Sequence, residues 1–288
     1  MTDGGRVRSR TVLALAGLFL SACARTMQVP RETAVAGFEE PARMVRAKGW
    51  AFEHEVRVWL PPSYRTSDRT YPTLWVTDND LELARAALLG TELIIVSVGA
   101  PRGTDPVEFQ RRRRYDFIPA RSLMGPTYAP FSEGEVGGAP GFLDFLVNQL
   151  RPMLAKEYRM DPNDHAYAGH SGGGMFGLYA LFSQPESFAR YLVSSPATSQ
   201  PWLDMEEAWF RQHKDLKARV FLSAGEAEAS DPAIAPFQVF STVALVGERL
   251  TSRKYPSLEL AVRIFPGKDH LTVMPVAYAQ GIRYLWAR

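Results

Sequence analysis

Gly169-His170-Ser171-Gly172-Gly173 fits the pattern G-x-S-x-G. In that pattern a serine sits on a sharp, strained turn between a strand and a helix, with its hydroxyl presented at the tip. Flanking glycines let the strand and helix approach closely. The helix that starts after the serine aims unbonded N–H groups at the same place, so the N–H of Gly172 can bond a developing oxyanion. Five residues of this kind also occur as a glycine-rich helix cap. The flanks favour a nucleophile at Ser171: a short apolar run, Ala166-Tyr167-Ala168, precedes it, and small and apolar residues from Gly174 to Ala180 follow.

A hydroxyl attacks poorly at neutral pH unless an imidazole takes its proton. In enzymes built on this turn the chain order is serine, acid, histidine. Of the five histidines (His54, His165, His170, His213 and His270), only the last two follow Ser171. His213 lies in a charged helical stretch and reads as a solvated residue. His270 closes Phe265-Pro266-Gly267-Lys268-Asp269-His270, a loop after the last predicted strand, where a catalytic base belongs. The acid should hold that imidazole's tautomer and stabilise imidazolium. It is expected in Ala224-Gly225-Glu226-Ala227-Glu228-Ala229-Ser230-Asp231, where Glu226, Glu228 and Asp231 compete and spacing does not choose. Asp269 is discounted, because a sequence neighbour seldom folds back onto the same ring.

These residues need a frame. Glu53 to Leu60 alternates, with Val56, Val58 and Leu60 on one face, and Pro61-Pro62 ends it. Thr73 to Val76, Leu93 to Val98, His165 to Ala168, Tyr191 to Ser194, Val220 to Ser223 and Leu258 to Phe265 read as further strands. Helices are expected over Leu81 to Leu89, Phe142 to Tyr158, Gly172 to Phe182, Val239 to Leu250 and Val273 to Trp286. Strands separated by helices imply an α/β fold with a mainly parallel central sheet covered on both faces. Pro101 to Gly141 carries the least pattern and reads as a long loop at a site rim. Its four arginines, Arg111 to Arg114, read as a solvated loop with one arginine pairing with Asp116, the usual fate of a charge run.

The 288 residues are 46% hydrophobic, enough for one sizeable core. A formal net charge of +2, from 33 basic and 31 acidic residues, gives no reason to expect a nucleic acid partner. The one cysteine, Cys23, excludes an internal disulfide, and with no metal-ligand cluster in the sequence, no metal or other cofactor is expected. Arg6, Arg8 and Arg10 precede an apolar stretch, Val12 to Leu20, too short for an ordinary transmembrane helix, and then Leu20-Ser21-Ala22-Cys23. This layout is expected to act as a signal peptide over 1–22, with a tether and entry segment over 23–47 and one domain over 48–288. Leu20 to Cys23 resembles a bacterial lipobox, which implies lipid attachment at Cys23, anchoring to a membrane and, with Ala24 next, an outer-membrane location facing the periplasm.

With Ser171, the acid loop and His270 set in order, the chain resembles an esterase family of α/β-hydrolases. That family takes in esterase D-like enzymes, enterobactin-type siderophore esterases, feruloyl esterases and mycobacterial mycolyltransferases. The resemblance runs from about Glu53 to Trp286. Tyr71 to Asp78 is similar to the family's strand before the oxyanion loop, Arg113 to Pro119 to its Arg-x-x-Asp-Phe/Leu-Thr-Pro segment, with Ile118 in place of threonine, and Ser194-Ser195-Pro196 to its serine-proline step. Gly225-Glu226-Ala227-Glu228 fits the Gly-x-x-Glu of the siderophore branch, which implies Glu228 as the acid, although some members work as a Ser–His dyad. The second oxyanion donor carries over to the backbone N–H of Asp80, where Asp78-Asn79-Asp80 departs from the family's Asp-Gly. Arg113 is the candidate contact for an acidic substrate. The resemblance implies hydrolysis of a carboxylic ester through an acyl-enzyme, with acyl transfer or ligand binding without catalysis as the alternatives.

Overall fold

The computed structural model describes residues 36–78, 80–120 and 134–287. Cys23 and the signal segment lie outside the described residues. One nine-stranded sheet runs through the described residues in the order β1-β3-β5-β4-β6-β7-β8-β9, with β2 also on β3. The strands are β1 (Phe38–Glu39), β2 (Arg43–Arg46), β3 (Glu53–Leu60), β4 (Tyr71–Thr77), β5 (Ile94–Gly99), β6 (Met160–His170), β7 (Arg190–Ser194), β8 (Ala218–Gly225) and β9 (Leu258–Phe265). From β5 to β9 every neighbouring pair is parallel, while β1, β2 and β5 pair antiparallel with β3. The helices are α1 (Leu81–Ala86), α2 (Pro106–Phe117), α3 (Ala139–Asp144), α4 (Arg151–Ala155), α5 (Gly172–Ser183), α6 (Ser199–Gln212), α7 (Val239–Arg253) and α8 (Val273–Leu285). Two apolar clusters flank the sheet, one around Trp75, Phe142, Phe176 and Tyr191, the other around Leu74, Leu192, Phe221 and Tyr278. This is the expected α/β architecture: parallel strands buried on both faces need helices on both.

Several expectations are corrected. The entry segment is not featureless up to residue 47: β1 and β2 extend the sheet along β3, and Ala47 is buried in the core. Alternation in β3 marked one face as polar, yet that face is buried too. Arg57 is covered because Glu39 on β1 and Glu82 on α1 pair with it, and Glu55 is covered by Arg102. The stretch after Pro101 is not a loop throughout. Asp105 accepts hydrogen bonds from the N–H groups of Val107 and Glu108, Pro106 follows it, and the helix α2 carries all four arginines. That is an N-cap followed by proline at the first helical position, a start signal that the charge run obscured. Similarly, the helix expected over Phe142 to Tyr158 begins earlier, at Ala139, and passes through a π-helical segment, Phe145–Leu150, before α4.

Candidate active site

β6 delivers the candidate nucleophile. Ser171 follows its last residue with φ 57° and ψ −117°, a strained backbone for a side-chain-bearing residue, and α5 starts at the next position. The turn closes because Gly169 has no side chain: a Cβ there would lie 2.4 Å from the carbonyl oxygen of Gly173. The N–H of Ser171 donates to the carbonyl of Ser194 at 2.9 Å, which ties the turn to β7. As the first helical residue, Gly172 has an N–H with no carbonyl four positions back in the helix to receive it.

β8 and β9 deliver the candidate acid and base. Nδ1 of His270 donates to Oε1 of Glu228 at 2.5 Å, and both side chains are buried. Oε2 of Glu228 accepts from the hydroxyl of Ser195 at 3.0 Å and from the N–H of Gly225 at 2.7 Å. Three donors thus converge on one buried carboxyl group, and hydrogen bonds to a charged group are worth about 1.5–3 kcal/mol each. The two loops are joined along their backbones. The N–H of Ala227 donates to the carbonyl of Lys268 at 3.0 Å, and a Cβ on Gly225 would lie 2.1 Å from that same oxygen. Of the competing acids, Glu226 accepts from the N–H of Gly267 at 3.0 Å, and Asp231 caps Ala233 at 2.8 Å. Asp269 caps Leu271 and Thr272 instead of meeting its neighbour's ring.

The imidazole of His270 lies against that of His170, the residue before the nucleophile, with ring centroids 4.5 Å apart. His170 bonds the hydroxyl of Ser194 through Nδ1 at 3.0 Å. Burial, then the nearby His270 and Arg113, hold its pKa well below the ordinary imidazole value, so His170 is a neutral wall beside the base. His213, by contrast, stacks on Trp209 at 3.8 Å on an exposed helix end, as its sequence context suggests.

The opposite wall comes from β4 and α2. Arg113 donates from Nε to Oδ1 of Asp78 at 2.7 Å and from a terminal nitrogen to the carbonyl of His170 at 3.3 Å. Its guanidinium lies over Gly172: a Cβ there would be 3.0 Å from one terminal nitrogen. The other arginines are spent elsewhere, Arg111 and Arg112 on Glu108 and Arg114 on Glu135. Asp116 pairs with His54 at 3.0 Å, not with an arginine, which corrects the expected Asp116 pairing. That buried pair ties α2 to β3.

The backbone N–H of Asp80 is not available as an oxyanion donor: it closes a turn by donating to the carbonyl of Thr77 at 3.1 Å. The positive φ of this turn falls on Asp78, at 59°. Asn79 lies outside the described residues. The roles of Asp78, Ser195 and His170 were not read from the sequence. Ser195 was visible only as part of a motif without a role, and the Arg113–Asp78 contact joins segments 35 residues apart with no spacing signal. Among the described residues no group of three or more His, Cys, Asp or Glu could hold a metal ion.

A strained serine at the end of a central strand, beside a buried histidine–glutamate pair, on a mainly parallel sheet, is the frame of the α/β-hydrolases. The chain belongs to the esterase family, whose model matches residues 51–238. Siderophore hydrolase EstA from Aspergillus nidulans has the same fold, with a TM-score of 0.75 over 89% of this chain and 97% of that one, at 23% identity. The chain is also similar to ferri-bacillibactin esterase BesA of Bacillus subtilis, 25% identical over 196 residues, 66% of each protein. It is 38% identical over 113 residues to the siderophore enterobactin esterase of Emericella nidulans, 37% of this chain and 36% of that protein. The matched region thus spans just under two thirds of the first of these curated relatives and about a third of the second.

Proposed function

We propose that this chain is a serine esterase that hydrolyses a carboxylic ester of the siderophore type through an acyl-enzyme. The observation that carries the reading is the buried bond between Glu228 and His270, set beside the strained turn at Ser171. Ser171 attacks the ester carbonyl while Nε2 of His270 takes the hydroxyl proton. Glu228 holds the other ring nitrogen in its N–H form and stabilises the imidazolium. The N–H of Gly172 and the guanidinium of Arg113 meet the negative charge that develops on the carbonyl oxygen. His270 then protonates the departing alkoxide, and water, deprotonated by the same ring, releases the acid.

Two things support a siderophore-type substrate. Relatives along much of the chain are named for siderophore esters. Arg113 also places a cation against the site, which suits an acyl group bearing catecholate or carboxylate oxygens. The test is a substrate panel of ferric and iron-free siderophore lactones, feruloyl esters and short nitrophenyl esters, run beside labelling with a fluorophosphonate. Hydrolysis of the siderophore esters with labelling at Ser171 is expected. Absence of labelling at Ser171 would sink the reading, and transfer to an added alcohol in preference to water would make the chain an acyltransferase.

The layout from Arg6 to Cys23 supports a further part of the proposal, that the chain is exported and lipid-anchored at Cys23. Metabolic labelling with a palmitate analogue should mark the wild-type chain and not the Cys23→Ser variant. Equal labelling of both would refute it. No helix among the described residues is long and apolar enough to cross a membrane.

A further inference from the structure

Behind the oxyanion wall stands a second acid that the mechanism does not use. Oδ2 of Asp80, at the head of α1, accepts a hydrogen bond from the hydroxyl of Tyr278 on α8 at 2.9 Å, across 198 positions of sequence. Tyr278 is fully buried. The groups that face this carboxyl come from every element around it: Asp78 in the same turn, Glu82 on α1, Arg113 on α2 and Tyr278 on α8. Tyr167 on β6 stands beyond them, its hydroxyl bonded to the carbonyl of Gly173 at 2.7 Å and within 3.1 Å of the Thr77 hydroxyl.

A charge count shows what is at stake. Arg113 is the cation over Gly172, and Asp78 already pairs with it. Glu82 is taken up by Arg57. Burial, and the phenolate-disfavouring acids nearby, hold the Tyr278 and Tyr167 hydroxyls well above the ordinary phenol value, so both stay neutral. With Asp80 neutral, the pair Arg113–Asp78 is balanced, and the oxyanion develops next to a cation whose charge is matched once. With Asp80 ionised, two carboxylates share one guanidinium, and negative charge already sits behind the site where more must form.

We propose that Asp80 is a positioning residue that serves as a neutral carboxylic acid, joining the oxyanion turn to α8 through Tyr278, and that its ionisation sets the alkaline limit of catalysis. The inference rests on the esterase reading above. Burial first, and Asp78 second, push the Asp80 carboxyl up to about 8, which places the change within reach of an ordinary pH profile.

The experiment measures kcat between about pH 6 and pH 10 for the wild type, Asp80→Asn and Tyr278→Phe, with spontaneous ester hydrolysis subtracted. Wild-type kcat should fall about tenfold per pH unit once the acid has ionised. Asp80→Asn keeps the shape of the neutral acid and cannot ionise, so its profile should run level to the alkaline end. Tyr278→Phe removes a donor that favours the carboxylate, so its fall should move to higher pH. A purely structural role for either residue would shift neither limb. The same alkaline fall in Asp80→Asn as in the wild type overturns the proposal, as does a Tyr278→Phe fall that stays put or moves to lower pH. If the wild type hydrolyses no ester, the esterase reading has failed. The ionisation is then read from urea unfolding across the same pH range, where a stability step present in the wild type and absent in Asp80→Asn supports it, and identical curves overturn it.

Discussion

The two walls of the site are built in opposite ways. The acid–base wall joins two neighbouring parallel strands, β8 and β9, whose following loops share backbone hydrogen bonds, so Glu228 and His270 are brought together by local geometry. The oxyanion wall is assembled from side chains of distant segments: Arg113 on α2, Asp78 after β4, and Asp80 held by Tyr278 on α8. One wall satisfies a single carboxylate with three neighbouring donors. The other sets two carboxyl groups, those of Asp78 and Asp80, around one guanidinium. A backbone-built wall tolerates little change in length; a charge-built wall should be tunable through its charges.

Removing the reacting groups breaks the first wall outright. Ser171→Ala should lower kcat by on the order of 10⁵–10⁶, with loss of fluorophosphonate labelling. Glu228→Gln should cost on the order of 10³–10⁴ in kcat/KM, because an amide no longer fixes the imidazole tautomer. Glu226→Gln and Asp231→Asn should each stay within about threefold of wild type, since neither touches the ring. If either of those rivals Glu228→Gln, the assignment of the acid is wrong.

The second wall should yield by smaller steps. Arg113→Met should lower kcat by on the order of 10², and Arg113→Lys should not restore it, because a point charge cannot bond Asp78 and His170 and still lie over Gly172. An Arg113→Met enzyme with kcat unchanged and only KM raised would move Arg113 from the oxyanion to substrate binding. Ser195→Ala removes one of three donors to Glu228 and should cost about tenfold in kcat/KM at most.

A separate effect is on stability. The folded-state pKa of Asp80 lies above its unfolded value, so the fold holds a proton that the unfolded chain releases. Stability from this group is therefore complete below the unfolded value near pH 4, and declines as pH rises to about 8. Asp80→Asn should accordingly stabilise the protein by about 4 kcal/mol more at pH 8.5 than at pH 5, as read from urea unfolding. A constant difference across that range would place the ionisation elsewhere.

The same contrast decides how much was legible in the sequence. The strand, turn and helix around Ser171 are continuous in sequence and each carries its own signal, so the turn at Ser171 was readable. His270 followed from chain order. Glu228 was one of three carboxylates in one loop, and only family resemblance singled it out; the bond to His270 now separates it from Glu226 and Asp231. The oxyanion wall was misread because nothing in a linear sequence marks contacts between segments 35 or 198 positions apart. Carrying the donor over by position put it on Asp80, whose N–H is consumed by the turn itself. Four consecutive arginines masked the cap at Asp105-Pro106 and with it the helix that aims Arg113. In β3, Arg57 is buried against partners from β1 and α1, an outcome that depends on pairs found only in three dimensions.

The close approach of Gly225 to Lys268 has a consequence for how this protein can vary. Two loops whose backbones touch cannot gain or lose a residue independently, because a one-residue change in either would break the shared hydrogen bond of Ala227 and withdraw the acid from the base. A library of loop-length variants should show this as intolerance of single-residue insertions and deletions after β8 and β9.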